Sequence, residues 1–250
     1  MTDLWVVVPA YNEEASLPAT LRALAEQCDA DFECVVVDNA STDRTAEVVR
    51  EFAVTAGFPL HLITEARKGT GAAADTGMRF AIEAGARYLA RTDADCLPVP
   101  GWTAAVRRGL AGGLELVTGQ LRPRTDEFRL KLWERRLLPA VVAVAAWFGR
   151  FRPGNQDPQY LGRYLMCPGC NLAITADLYQ RCGGFPRTAI EETHEDRALV
   201  NRVRRLTGAY GQVPGMTVYG SVRRLRAFGL RNTLAWYADH RYRPDVVDVR

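Results

Sequence analysis

The sequence predicts an α/β fold in which a mostly parallel central sheet carries helices on both faces, and three observations lead there. Apolar runs and amphipathic stretches alternate strictly through the first half of the chain. The apolar runs are continuous, as expected of parallel strands buried on both faces. Each of the four runs is followed by a short polar cluster, at the rim where sheets of this kind place their ligands.

The elements justify themselves in order. "LWVVVPA" (4–10) is a strand closed by a proline, and "NEEASLPATLRALAEQ" is a helix with Leu17, Leu21 and Leu24 at helical spacing. Its acids lie at the start, and Pro18 falls in an early turn, where a missing N–H costs little. The unit then repeats as strand "ECVVVDNA", helix "DRTAEVVREFA", strand "LHLIT", helix "GAAADTGMRFAIEAG", strand "RYLARTDAD" and helix "GWTAAVRRGLAG". Further on, "THEDRALVNRVRRL" reads as a helix with Leu199, Val203 and Leu206 on its core face.

Composition bounds the function. The 250 residues are 48% hydrophobic and 24% charged, enough for one large domain with a sizeable core, and no Gly/Ser-, Pro- or charge-rich linker divides them. A net charge of +3 is too small to argue for a nucleic-acid partner. The start "MTDLWVVVPAYNEE" lacks the pattern of a secretory signal. The most apolar run, Leu137 to Phe148, is shorter than the ~20 residues a membrane span needs. A soluble, cytoplasmic protein is the expectation. Six scattered cysteines suit a reducing compartment, and Cys167 and Cys170 form a lone CxxC without a second pair to complete a zinc site.

The polar clusters carry the chemistry. Asp38 ends a buried strand, where a carboxylate can accept hydrogen bonds from ribose hydroxyls or a base N–H; Asp43 is better explained as a helix cap. Lys68, followed by "GTG", could set an ammonium and backbone N–H groups near a phosphate, although the full P-loop pattern is absent. Asp93 and Asp95 in "RTDADC" could form an Asx-turn ahead of Pro98. They could equally hold a hard divalent cation, Mg²⁺ or Mn²⁺, with substrate phosphates and water completing its shell. Their position beside three other polar rims favours the metal. Glu195 and Asp196 start a helix, where acids complement the dipole and where a base can be rigidly aimed.

In order and spacing, "VVVPAYNEE", "CVVVDNASTDRT", "KGTGAAADTG", "RTDADC", "CNLAITADLYQRCGGFP" and "HEDRAL" resemble a family 2 glycosyltransferase of the GT-A fold, across roughly Leu4 to Leu206. The resemblance implies a single GT-A (Rossmann-like) domain over 1–220, with a nucleotide-sugar half (1–120), an acceptor half (121–220) and a C-terminal helical segment (221–250) closing over the site. It implies that Pro9, Ala10, Tyr11, Glu13 and Asp38 hold base and ribose. Asp93 would lie near ribose and metal, with Asp95 a direct ligand, Asp196 the catalytic base and Glu195 its support. Asp75 stands where the family often has Asn, which removes the ground for a sugar contact there. The Gln-x-x-Arg-Trp motif of processive synthases is absent, which implies one transfer per encounter. Arg223 and Arg224 in "YGSVRRLRAFG" could hold the diphosphate, as guanidinium groups pair bidentately with phosphate, or could form a solvated helix face. Of His194 and His240, His240 is preferred as an added metal ligand because its segment could close over the site.

The function implied is metal-dependent, inverting transfer of a sugar from a UDP- or GDP-sugar to a hydroxyl acceptor. A second reading is transfer to a polyprenyl phosphate at a membrane surface, which "LWERRLLPAVVAVAAWFGRFR" would allow by peripheral contact. A third is a sugar-nucleotide binding module without turnover, which predicts damage to the paired acids, and both pairs are intact.

Overall fold

The computed structural model describes residues 2–127, 147–187, 195–223, 225–229 and 232. Its centre is one eight-stranded sheet in the order β3-β2-β1-β4-β7-β6-β8-β5. The strands are β1 (Leu4–Ala10), β2 (Glu33–Asp38), β3 (Leu60–Thr64), β4 (Tyr88–Arg91), β5 (Leu97–Pro98), β6 (Leu116–Pro123), β7 (Leu172–Thr175) and β8 (Tyr210–Gly220). β1 pairs in parallel with β2 and β4, and β2 with β3. β7 runs antiparallel to β4 and β6, while β6 and β8 are parallel, with a register shift between Thr118 and Gln120. The parallel half expected from the sequence is therefore joined to a mixed half.

The helices are α1 (Leu17–Ala25), α2 (Thr45–Ala53), α3 (Thr70–Glu83), α4 (Trp102–Ala111), α5 (Ala176–Arg181) and α6 (Glu195–Arg204). Side chains alternate across a strand, and β1 divides accordingly. Leu4, Val6 and Val8 meet Leu17, Leu21 and Leu24 of α1 and Val106 of α4 in one apolar cluster. Trp5 and Val7 meet Ala73, Ala74 and Met78 of α3 and Leu199 and Val203 of α6 in another. This explains the unbroken apolar run of β1, because each of its seven residues is buried.

The order 3-2-1-4 reverses direction at β1, so the loops leaving β1, β2 and β4 open into one crevice at the carboxyl ends of the strands. Those loops carry Tyr11 to Glu14, Asn39 to Asp43, and Thr92 to Cys96. Asp93 and Asp95 thus lie just past the last residue of β4, and Asp38 is the last residue of β2.

Candidate active site

The loops after β1 and β2 are sewn together. Asn12 donates its backbone N–H to Ser41 Oγ at 2.9 Å and accepts the Thr42 N–H on its side-chain oxygen at 2.6 Å. Asn12 and Ala40 both hold left-handed backbone angles (φ 50° and 59°), a conformation the surrounding bonds must maintain. Asp38 accepts the Ser41 N–H at 3.1 Å. Asp43 accepts the N–H of Thr45, the first residue of α2, at 2.9 Å, the helix-start role expected of it.

Asn39 is buried and makes three bonds, donating to the carbonyls of Glu65 and Arg67 and accepting the Gly69 N–H, each at 2.8 Å. It ties the rim of β2 to the Lys68 loop, a positioning role the sequence reading missed. Lys68 donates to the Tyr11 hydroxyl at 3.1 Å and lies 4.9 Å from that ring's centre. Asp75 is fully buried on α3, bonded to Arg79 and the Tyr179 hydroxyl, with Arg187 at 3.3 Å. It works inside a charge network.

Arg91 organises the two acid pairs. Its side chain is 1% exposed, yet it is the last residue of β4, where an apolar residue would be expected. It lies 3.1 Å from Asp93 and 3.3 Å from Glu195, and its remaining terminal nitrogen, Nη1, has no hydrogen-bond partner among the described residues. Two glycines make room. A Cβ on Gly169 would stand 3.1 Å from the guanidinium, and one on Gly71 would collide with the Pro186 carbonyl at 2.4 Å and approach Glu195 at 3.2 Å. The only sequence signal for Arg91 is a cation closing an apolar run.

Removing that cation leaves two carboxylates facing each other with nothing between them. Arg91→Met is expected to cost about 3 kcal/mol of stability at pH 8, the low end for a broken buried pair because Asp93 stays 31% exposed. The loss should shrink near pH 5, where the stranded Asp93, already held above the usual carboxylate range, can take up a proton. Urea titrations at both pH values check this, and an equal loss at both would rule out charge as the cause.

The acids differ in environment. Asp93 is held above the usual carboxylate range, first by removal from water and then by Asp95 and Glu195, against the pull of Arg91. Asp196 is pushed up to about 7 by removal from water and by the neighbouring Glu195, opposed by the Arg197 N–H (2.6 Å) and Arg91. A carboxyl near 7 is poised to exchange a proton at neutral pH.

Arg223, expected to hold the diphosphate, bonds both carboxylate oxygens of Glu13 and lies 2.9 Å from Asp95 Oδ2. A cation already sits between these two carboxylates, so the donor set suits positive charge. No cluster of three or more His, Cys, Asp or Glu capable of holding a metal occurs among the described residues. Arg224, His194 and His240 lie outside the described residues. All six cysteines are free. Burial pushes the Cys167 thiol up, and Cys96 is raised by its bond to Cys170 and by burial, so these thiols stay protonated.

An eight-stranded α/β sheet with paired acids just past the carboxyl ends of its parallel strands is an architecture that GT-A transferases share. The model of glycosyl transferase family 2 matches residues 5–183, and the chain belongs to that family. Glycosyltransferase AglE of Haloferax volcanii is 32% identical over 188 residues, covering 74% of this chain and 56% of the relative. The chain thus spans about half the length of the curated relatives it matches. Among solved structures, mannosyltransferase PcManGT of Pyrobaculum calidifontis, in complex with GDP-Man and Mn²⁺, aligns with a TM-score of 0.69 at 25% identity. That alignment covers 95% of this chain and 62% of that one. Staphylococcus aureus TarS with UDP-GlcNAc aligns at TM-score 0.61 and 15% identity, covering 87% and 58%, and shares the fold.

Proposed function

We propose that the protein is a metal-dependent, inverting glycosyltransferase that moves a sugar from a UDP- or GDP-sugar to a hydroxyl acceptor. The observation that carries this reading is the Arg91 bridge, which gathers Asp93 and Glu195 beside Asp95 and Asp196 at the crevice of β1, β2 and β4. Family membership and the GDP-Man and Mn²⁺ complex of PcManGT support it.

Within it, Pro9, Ala10, Tyr11, Glu13 and Asp38 surround base and ribose, and Lys68 approaches the phosphates. Asp95, with Asp93 beside it, would hold Mn²⁺ or Mg²⁺, which neutralises charge on the departing diphosphate. The acceptor oxygen bonds to the anomeric carbon as the bond to the diphosphate breaks, and Asp196 takes the acceptor proton. Glu195 and Arg91 keep Asp196 in place. The described part is read as one domain with helices on both faces, working in the cytoplasm.

Incubating the protein with a panel of nucleotide sugars and Mn²⁺ tests the reading. Release of nucleoside diphosphate from a UDP- or GDP-sugar, abolished by a chelator, is the expected outcome. Binding without any release would favour the non-catalytic module. Within that panel, Asp38→Ala should weaken binding of the whole nucleotide and spare pyrophosphate. Equal losses for both would assign Asp38 to the fold.

A further inference from the structure

Between residues 147 and 161 four large apolar side chains stand exposed. Trp147 is 49% exposed, Phe148 59%, Phe151 54% and Leu161 60%. The Trp147 ring lies edge-on to Phe148 and Phe151, at 5.0 and 4.9 Å between centres, so the three form one cluster. Residues 147–163 also hold three arginines (Arg150, Arg152 and Arg163) against one acid, Asp157, which Arg205 pairs at 3.0 Å. This short stretch therefore carries a net charge of +2, against +3 for the whole chain. Arg150 and Arg163 are themselves exposed.

Exposed rings with exposed arginines in the same short stretch, two of them lining one cleft with Phe151, match one environment best. A bilayer's interfacial layer takes amphipathic rings at the headgroup level, while anionic headgroups attract the cations beside them. An acidic protein surface would satisfy the arginines and leave the rings without apolar cover. We propose that the face formed by Trp147, Phe148, Phe151 and Leu161, with Arg150 and Arg163, docks on an anionic lipid bilayer.

The placement has a consequence for the acceptor. Arg150, Phe151, Tyr160, Arg163, Tyr164 and Arg204 line an open cleft of about 660 Å³. Tyr164 on its wall is largely buried, and burial together with the Asp196 carboxylate pushes its hydroxyl up. Arg150, Phe151 and Arg163 belong to both the face and the cleft, so docking would present the cleft to molecules held at the membrane surface.

Vesicle sedimentation tests the proposal, using phosphatidylcholine alone and with about 30% phosphatidylglycerol at about 150 mM salt. The protein is expected to sediment with the anionic vesicles and not with the neutral ones. The Arg150→Gln/Arg163→Gln double variant should bind roughly 30-fold more weakly, two cations' worth. The Trp147→Ala/Phe148→Ala variant should lose binding as well. In the unaltered protein, brominated lipids should quench tryptophan fluorescence, and Trp147→Phe should remove that quenching while the melting temperature holds. Failure of the intact protein to bind, or variants that bind as well as it does, would overturn the proposal. Nucleotide binding measured in the same samples keeps this outcome separate from that of the donor reading.

Discussion

Replacing Asp196 by asparagine is expected to lower turnover about 10²-fold or more while leaving donor affinity unchanged. Asparagine keeps the shape and removes the proton acceptor, so the loss should fall on the chemical step alone. The raised pKa adds two signs that can be checked. A base poised at about 7 must lose its proton to act, so the rate should fall as pH drops below about 7. Stability should run the other way. The folded state keeps a proton on Asp196 that the unfolded chain releases near the ordinary carboxylate pKa, so folding loses stability as pH rises from about 4 to about 7. The penalty persists above that range. The asparagine variant should therefore melt higher than the unaltered protein at pH 7.5. Wild-type turnover in this variant would place the base elsewhere, or point to a phosphate acceptor that needs none.

Asp95→Ala is expected to abolish Mn²⁺-dependent binding of nucleoside diphosphate. Asp95 Oδ2 lies 2.9 Å from the Arg223 guanidinium, so a metal held by Asp95 would share an oxygen that now faces a cation. The alanine variant leaves Asp93, whose carboxyl is already bonded to Arg91 and held above the usual carboxylate range. Calorimetric titration with and without Mn²⁺ reads the effect. Metal-dependent binding that survives in Asp95→Ala would remove the metal role from this acid.

The parallel half and the acid pairs were legible because their signals are local. Strands buried on both faces write themselves as apolar runs, and "DAD" and "HED" break the pattern at element ends. The mixed half was not legible. β7 is four residues long, and β8 is interrupted by Pro214 and by Gly215 at φ +89°, so neither shows a strand's period. The pairings that organise the site were hidden for another reason. Arg91 meets Glu195 across 104 positions and Arg223 meets Glu13 across 210, contacts that exist only once the sheet is assembled. Arg223 shows the limit clearly: the sequence marks it as a cation suited to phosphate, and only the fold reveals that two carboxylates hold it.

The most direct measurement is calorimetric titration of the unaltered protein with UDP and GDP, each with Mn²⁺ and with a chelator. One of the two nucleotides should bind markedly more tightly with the metal, and Mn²⁺ alone should bind weakly, because the protein supplies only part of the shell. Nucleotide binding of equal strength in both conditions, or none in either, would contradict a metal-dependent nucleotide-sugar site at Asp93 and Asp95.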